Sequence, residues 1–236
     1  MDYRTRESCI ILAAKPTAPP APRLYLSTPV VDDPAALLAG LPDLIRKADV
    51  AAVLLRLAPS DPRTLTSRIK AVAAPVQKAD AALLVEGHVD LIARGGADGA
   101  HLPGLAPLQE ALPALKPDRI AGCGGLTTRH NAMSAGEAGA DYVLFGEPDS
   151  KGQRPSADAI AERIEWWAEL FEPPCVGYAA SLDEAERFAA AGADFVLVDD
   201  LVWNDARGAS AALVDAGAAI QRGHAAVLER FKAAQG

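Results

Sequence analysis

Eight short runs rich in Val, Leu and Ile recur along the chain, and an Ala-rich amphipathic stretch follows each of them. The runs lie at 24–27, 50–57, 81–85, 99–102, 119–123, 142–146, 174–178 and 195–199. Short apolar runs bounded by turn residues read as strands buried on both faces, the pattern of a parallel sheet. The stretches between and after them, at 34–47, 62–73, 89–94, 105–115, 128–138, 156–171, 181–191 and 209–234, carry helical spacing. Asp33, Asp61, Thr127 and Ser181 stand where helix N-caps belong, and Glu184 three residues after Ser181 completes a capping-box pattern. Gly96-Ala97-Asp98, Gly139-Ala140-Asp141 and Gly192-Ala193-Asp194 each join a helix end to a strand, with the glycine suited to a left-handed turn-off. Their spacing is unequal, so they repeat one joint and do not make a solenoid. Eight strand–helix units in 236 residues, with no switch point in the run, favour a closed (β/α)8 TIM barrel over an open doubly wound sheet. In such a barrel the site lies at the C-terminal strand ends, in the βα loops.

Composition narrows the classes. The net charge of −8 opposes non-specific nucleic-acid binding, which needs a basic face. No apolar stretch approaches the roughly 20 residues of a membrane span. Three cysteines (Cys9, Cys123 and Cys175) at long spacings exclude a disulfide scaffold and fit a reducing compartment. The apolar run 9–14 is short and lacks a cleavage site, so a cytoplasmic protein is expected. Pro16, Pro19, Pro20 and Pro22 make residues 1–22 an extended arm ahead of one barrel domain over 23–236. The expected partner is a small molecule, with neither nucleic acid nor membrane, and a homodimer is left open.

The strand ends carry the candidate chemistry. Arg56 interrupts the second run. It either snorkels outward to solvent or turns inward onto an anionic or aromatic ligand. Glu86 and His88 follow the third run, as surface loop residues or as an acid/base pair. His101 ends the fourth run, where a satisfied core histidine is the plainer reading. After the fifth, Gly122-Cys123-Gly124-Gly125 precedes a helix start and could admit a phosphate to backbone amides, although glycines also serve tight turns. Cys123 has no neighbouring base and reads as a small buried residue more readily than as a nucleophile. The sixth loop, 146–154, mixes Glu147 and Asp149 with Lys151 and Arg154. Tyr178 ends the seventh run. Asp199 and Asp200 end the eighth, where adjacent carboxylates need solvent, a partner or a cation. Glu86, His88 and Arg56 are therefore the catalytic candidates. His101, Cys123, Gly124, Glu147, Lys151, Tyr178, Asp199 and Asp200 are the ligand-binding candidates, and none of these residues forms a metal-ligand spacing. The adjacent Trp166 and Trp167 point about 100° apart on a helix, which puts one in the core and the other partly in solvent.

Several of these segments, in order and spacing, resemble one family. They are LYLST at 24–28, VDL…GADGAHL at 89–102, IAGCGG at 120–125 and AGEAGADYVLFG at 135–146. Over residues 23–205 the chain is similar to thiamine phosphate synthase and its relative, the thiazole tautomerase. The resemblance implies the same barrel. It also implies a reaction joining an aminopyrimidine pyrophosphate to a thiazole phosphate, with magnesium holding the departing pyrophosphate. On that reading Glu86 does metal or proton work, Arg56 holds substrate and Lys151 contacts phosphate.

The sequence departs from the family at most of the residues that serve this chemistry. The strand-two pattern Gln-x-Arg-x-Lys reads Leu54, Arg56, Ala58, and the Asn-Asp pair after strand three reads Glu86-Gly87. The second magnesium Asp falls near Ala106, the strand-five Ser falls at Gly124, and the phosphate-holding Ser falls near Asp199. The Gly-Gly after strand seven reads Gly177-Tyr178, and Leu126 stands near the tautomerase His. Loss of a carboxylate ligand weakens magnesium binding, and carboxylates facing a phosphate dianion repel it. Magnesium is therefore implied only if the family chemistry is retained. The expectation is a synthase-like protein of thiamine biosynthesis with a rebuilt site. Two alternatives stand beside it: a non-catalytic paralogue binding a thiazole, a pyrimidine or thiamine, and a barrel enzyme acting on a non-phosphorylated substrate.

Overall fold

The computed structural model describes residues 18–234, in which eight parallel strands close into one barrel in sequence order. The elements are β1 (Arg23–Val31), α1 (Pro34–Leu38), α2 (Leu41–Ala48), β2 (Val50–Leu57), α3 (Pro62–Lys78), β3 (Ala82–Glu86), α4 (Val89–Gly95), β4 (Gly99–Pro103) and α5 (Leu105–Leu115). They continue with β5 (Ile120–Gly124), α6 (Arg129–Ala138), β6 (Tyr142–Phe145), α7 (Ala157–Leu170), β7 (Cys175–Ala179), α8 (Leu182–Ala190), β8 (Phe195–Val198), α9 (Asp200–Trp203) and α10 (Ala209–Ala233). β1 closes the barrel on β8, with Leu24 opposite Val196 and Leu26 opposite Val198. Residues 1–17, including Cys9 and the 9–14 run, lie outside the described residues.

Each of the eight expected strands and helical stretches is present. The stretch 34–47 differs in being two helices, because Gly40 and Pro42 interrupt the turn between α1 and α2. The N-cap of α6 is Thr128 and not Thr127, its hydroxyl accepting from Asn131 N–H. Asp33, Asp61 and Ser181 cap as expected. Glu184 reaches back to the N–H of Ala180, one residue upstream of a true capping box. Trp167 is buried and Trp166 half-buried, with the Arg129 guanidinium 5.0 Å above its ring.

The three Gly-Ala-Asp joints share one geometry. Gly96, Gly139 and Gly192 all take positive φ, as the left-handed exit from a helix requires. The Asp that follows then grips the start of the preceding strand. Asp98 accepts from Leu83 N–H, Asp141 from Ala121 N–H and Asp194 from Cys175 N–H, at 2.7, 2.7 and 2.8 Å. Each Asp N–H donates in return to the carbonyl of the residue it grips. These straps tie neighbouring strands at the N-terminal face, where barrel residues serve stability.

Strand alternation makes two cores. Tyr25, Leu54, Leu84, Tyr142, Leu144, Val176 and Leu197 fill the barrel interior, and the larger cluster lies between strands and helices. β5 shows the parity. Ala121 and Cys123 join the outer core, while Gly122 and Gly124 face inward.

Candidate functional site

The two inward glycines of β5 leave room that other strands fill. A methyl group on Gly122 would strike the Tyr142 ring, and one on Gly124 would strike the Glu147 carboxylate and lie 2.6 Å from His101 Nε2. The side chains in this space form one hydrogen-bonded column up the barrel. The Tyr25 and Tyr142 hydroxyls lie 3.0 Å apart. The Tyr142 hydroxyl is 2.9 Å from His101 Nδ1, and His101 Nε2 is 2.9 Å from Glu147 Oε1. Glu147 Oε2 accepts from Gly125 N–H at 2.9 Å, in the loop that leads to α6. At its lower end Tyr25 and Tyr142 line a mainly apolar cavity of about 300 Å³. At its upper end Glu147 reaches the barrel mouth.

Burial alone would raise the Glu147 pKa. The hydrogen bonds that it accepts from His101 Nε2 and Gly125 N–H favour the ionised form, and the carboxyl lies below the ordinary range. Burial drives both tyrosine hydroxyls far above their usual range, so neither ionises.

A second pair crosses the mouth. Arg56 turns inward, its Nε donating to Thr28 O at 2.6 Å and its guanidinium to Asp199 Oδ1 at 2.7 Å. Thr28 Oγ1 also accepts from Arg56 N–H, fixing the end of β2 against β1. Trp203 of α9 donates to Ser27 O at 2.6 Å and holds the segment after Asp199 in place. Burial pushes Asp199 up to about 6, with Arg56 opposing the shift and Asp200 and Glu86 adding to it. Tyr178 is also raised, by burial first and then by Asp199 and Asp200.

Two cavities open at the mouth. One of about 180 Å³ is lined by Arg56, Glu86, Glu147, Tyr178 and Asp199 over a floor of Ser27, Leu54 and Leu197. The other, about 380 Å³, lies between the β5–α6 and β6–α7 loops and is lined by Leu126, Thr127, Glu147, Gln153, Arg154 and Arg163. Glu147 and Pro148 belong to both and form the partition. Arg154 anchors this partition. It donates to Gly146 O, Tyr178 O and Glu184 at 2.9, 2.6 and 2.7 Å and stacks over the Tyr178 ring.

The sequence candidates divide accordingly. Arg56, Glu86, Glu147, Tyr178 and Asp199 meet around one cavity, and His101 stands directly behind Glu147. His88 does not join Glu86. It precedes α4 with left-handed backbone (φ 48°) and lines neither mouth cavity. Cys123 points into the outer core, fully buried, with its thiol pushed up to about 11 by burial, so it meets no ligand at the mouth. Gly124 lies beneath the Glu147–His101 pair, and its role is to make space. Lys151 and Asp200 are exposed and line neither mouth cavity. Tyr25, Tyr142, Arg154 and Arg163 were not singled out as site residues. The signal for the tyrosines was the Gly-x-Gly on β5, since two missing side chains on one face imply bulky neighbours.

The donors present do not suit the magnesium ion that the resemblance implies. Gly87 and Ala106 offer no carboxylate, and Glu147 and Asp199 are committed to His101 and Arg56. Among the described residues, no three His, Cys, Asp or Glu side chains gather to hold a metal. No step below is routed through such an ion. Among the same residues, no helix is long and apolar enough to cross a membrane.

Comparison with known proteins adds to this picture. The family described as thiamine monophosphate synthase matches residues 24–200. A thiamine-phosphate synthase of Rhodospirillum centenum is 38% identical over 196 residues, 82% of this chain and 95% of the relative. One from Hyphomonas neptunium is 36% identical over 207 residues, 84% of this chain and 94% of the relative. Among solved structures, a thiamine phosphate pyrophosphorylase from Pyrococcus furiosus superposes with a TM-score of 0.67 at 22% identity. It covers 85% of this chain and 96% of that one, a likeness that speaks for the fold.

Proposed function

The chain belongs to the thiamine monophosphate synthase family, and on that premise we propose that its mouth binds a small neutral or cationic heteroaromatic ring, of the thiazole, pyrimidine or thiamine kind, in place of a magnesium-held pyrophosphate. The observation that carries this reading is the lining of the smaller mouth cavity. Three carboxylates, Glu86, Glu147 and Asp199, surround about 180 Å³, and the cation among them, Arg56, is already paired with Asp199. A phosphate there meets uncompensated negative charge at short range, which costs several kcal/mol at an effective dielectric of about 20. A ring bearing N–H groups or a positive charge meets acceptors instead, and Tyr178 and Leu54 offer it apolar surface.

Calorimetry tests this directly. The thiazole alcohol, the aminopyrimidine alcohol and thiamine are titrated beside thiazole phosphate and aminopyrimidine pyrophosphate, with and without magnesium. At least one unphosphorylated compound should bind more tightly than its phosphorylated counterpart. Tighter binding of the phosphorylated forms, strengthened by magnesium, would overturn the reading.

The family reaction is the second reading, and one observation favours it. Arg154 and Arg163 both line the larger cavity, and two guanidiniums suit an anion. Against it, Arg154 is paired with Glu184, and Arg163 already donates to the carbonyls of Leu126 and Thr127.

A further inference from the structure

The column through the barrel has a direction, and its donors and acceptors fix it. An ionised Glu147 offers acceptor atoms only, so the hydrogen between Glu147 and His101 sits on Nε2 of the ring. Nδ1 faces the Tyr142 hydroxyl, which in turn faces the Tyr25 hydroxyl. If Nδ1 is bare, Tyr142 donates to it and Tyr25 donates to Tyr142. Three hydrogens then meet three acceptors. A second hydrogen on the ring reverses the chain. Nδ1 then donates to Tyr142, and Tyr142 donates to Tyr25. The last hydrogen belongs to a tyrosine only 2% exposed, with no further acceptor among the described residues. A buried donor without an acceptor is disfavoured, which selects the first arrangement.

We propose that Tyr142, backed by Tyr25, is the positioning residue of this site: it fixes His101 as the Nε2–H tautomer, and His101 thereby presents Glu147 to both mouth cavities as the acceptor for a ligand N–H or cationic ring. Each oxygen of Glu147 spends one contact within the protein and retains further acceptor capacity. Arg154 holds the loop that carries Glu147, so column and loop position the carboxylate from two sides. The ligand class rests on the proposed function above. The tautomer assignment does not.

The experiment uses the full chain labelled with ¹⁵N, and long-range ¹H–¹⁵N correlation of its four histidines. His101 is assigned by the signal lost in His101→Gln. The wild type should show a protonated Nε2 and a bare Nδ1 on His101 at neutral pH. A hydrogen on Nδ1, alone or together with Nε2, overturns the assignment. Tyr142→Phe should abolish the single-tautomer signature and raise the dissociation constant of the thiazole alcohol about tenfold, with melting still cooperative. An unchanged His101 signature in a folded Tyr142→Phe protein overturns the positioning role. Tyr25→Phe leaves Tyr142 free to donate and should keep the signature. Its loss there contradicts the direction of the chain, so the idea is testable even if Tyr142→Phe does not fold. If the thiazole alcohol binds neither protein while the signature behaves as stated, the ligand reading fails and the positioning assignment stands.

Discussion

Gly124→Ala is a small change with a large expected effect. Backbone entropy alone predicts a gain of at most about 0.5–1 kcal/mol, because glycine in a strand is entropically costly and Gly124 ends β5. Gly124 has no positive φ, so alanine meets no backbone strain. The new methyl group, however, overlaps Glu147 Oε2 and lies 2.6 Å from His101 Nε2. The His101 ring is held by Tyr142, so Glu147 is the group that leaves. Its departure breaks two hydrogen bonds to a charged acceptor, at about 1.5–3 kcal/mol each, and strands the buried Nε2–H. Regained hydration of the carboxylate offsets part of this. The net loss should be about 2–4 kcal/mol, or about 5–15 °C in melting temperature for a chain of this size. The assay is a double-mutant cycle by urea and thermal unfolding on the wild type, Gly124→Ala, Glu147→Ala and the pair. In the Glu147→Ala background the overlap with the carboxylate is gone and only the contact with His101 Nε2 remains, so the methyl group should cost less than in the wild type and the two changes should be strongly non-additive. Additive effects, or a stabilised single variant, would refute the reasoning that Gly124 exists to seat Glu147 on His101.

Three further outcomes follow from the same structure. Each of Asp98→Ala, Asp141→Ala and Asp194→Ala should cost about 1–3 kcal/mol in urea unfolding by leaving a strand-initial N–H without its carboxylate, while ligand titrations at the opposite face stay unchanged. Arg154→Lys should not replace the wild type, because one ammonium cannot reach Gly146 O, Tyr178 O and Glu184 together. The expected signature is faster limited proteolysis within 146–155 and weaker thiazole binding. Asp199 has its folded pKa raised from 3.8 to about 6, so its stabilising contribution is complete below its unfolded value and is lost as pH rises through about 6. Asp199→Asn, whose side-chain oxygen still accepts from Arg56, should therefore gain stability relative to the wild type between pH 5 and pH 8, by about 1.4 kcal/mol, since about one unit of the shift lies above pH 5 at 1.36 kcal/mol per unit. An equal difference at both pH values would contradict the burial argument.

The barrel was legible because its signal is repeated and local. Eight apolar runs and three Gly-Ala-Asp joints each report one short segment, and closure follows from their number. Arg56, Glu86 and Asp199 were legible as strand-end residues, since the fold itself says where strand ends meet. The column was not. His101 and Glu147 are 46 residues apart, and Tyr25 and Tyr142 are 117 apart, distances over which only the register of packed strands brings side chains together. Cys123 shows the same gap at single-residue scale. It sits between two inward glycines, and strand parity turns it away from the mouth that its neighbours face. The four-residue α9 is too short to display a helical period, although it places Trp203 on Ser27 O. The split of α1 from α2 was present in Gly40 and Pro42, but the Ala- and Leu-rich sequence around them reads as one continuous amphipathic stretch.

The central claim is that the family scaffold carries a mouth built for an uncharged or cationic ring and not for magnesium-held pyrophosphate. It is tested most directly by mixing purified protein with the aminopyrimidine pyrophosphate, the thiazole phosphate and magnesium, and measuring thiamine phosphate over time. No product above the protein-free control is expected. Steady formation of thiamine phosphate, abolished by Glu86→Ala, would contradict it.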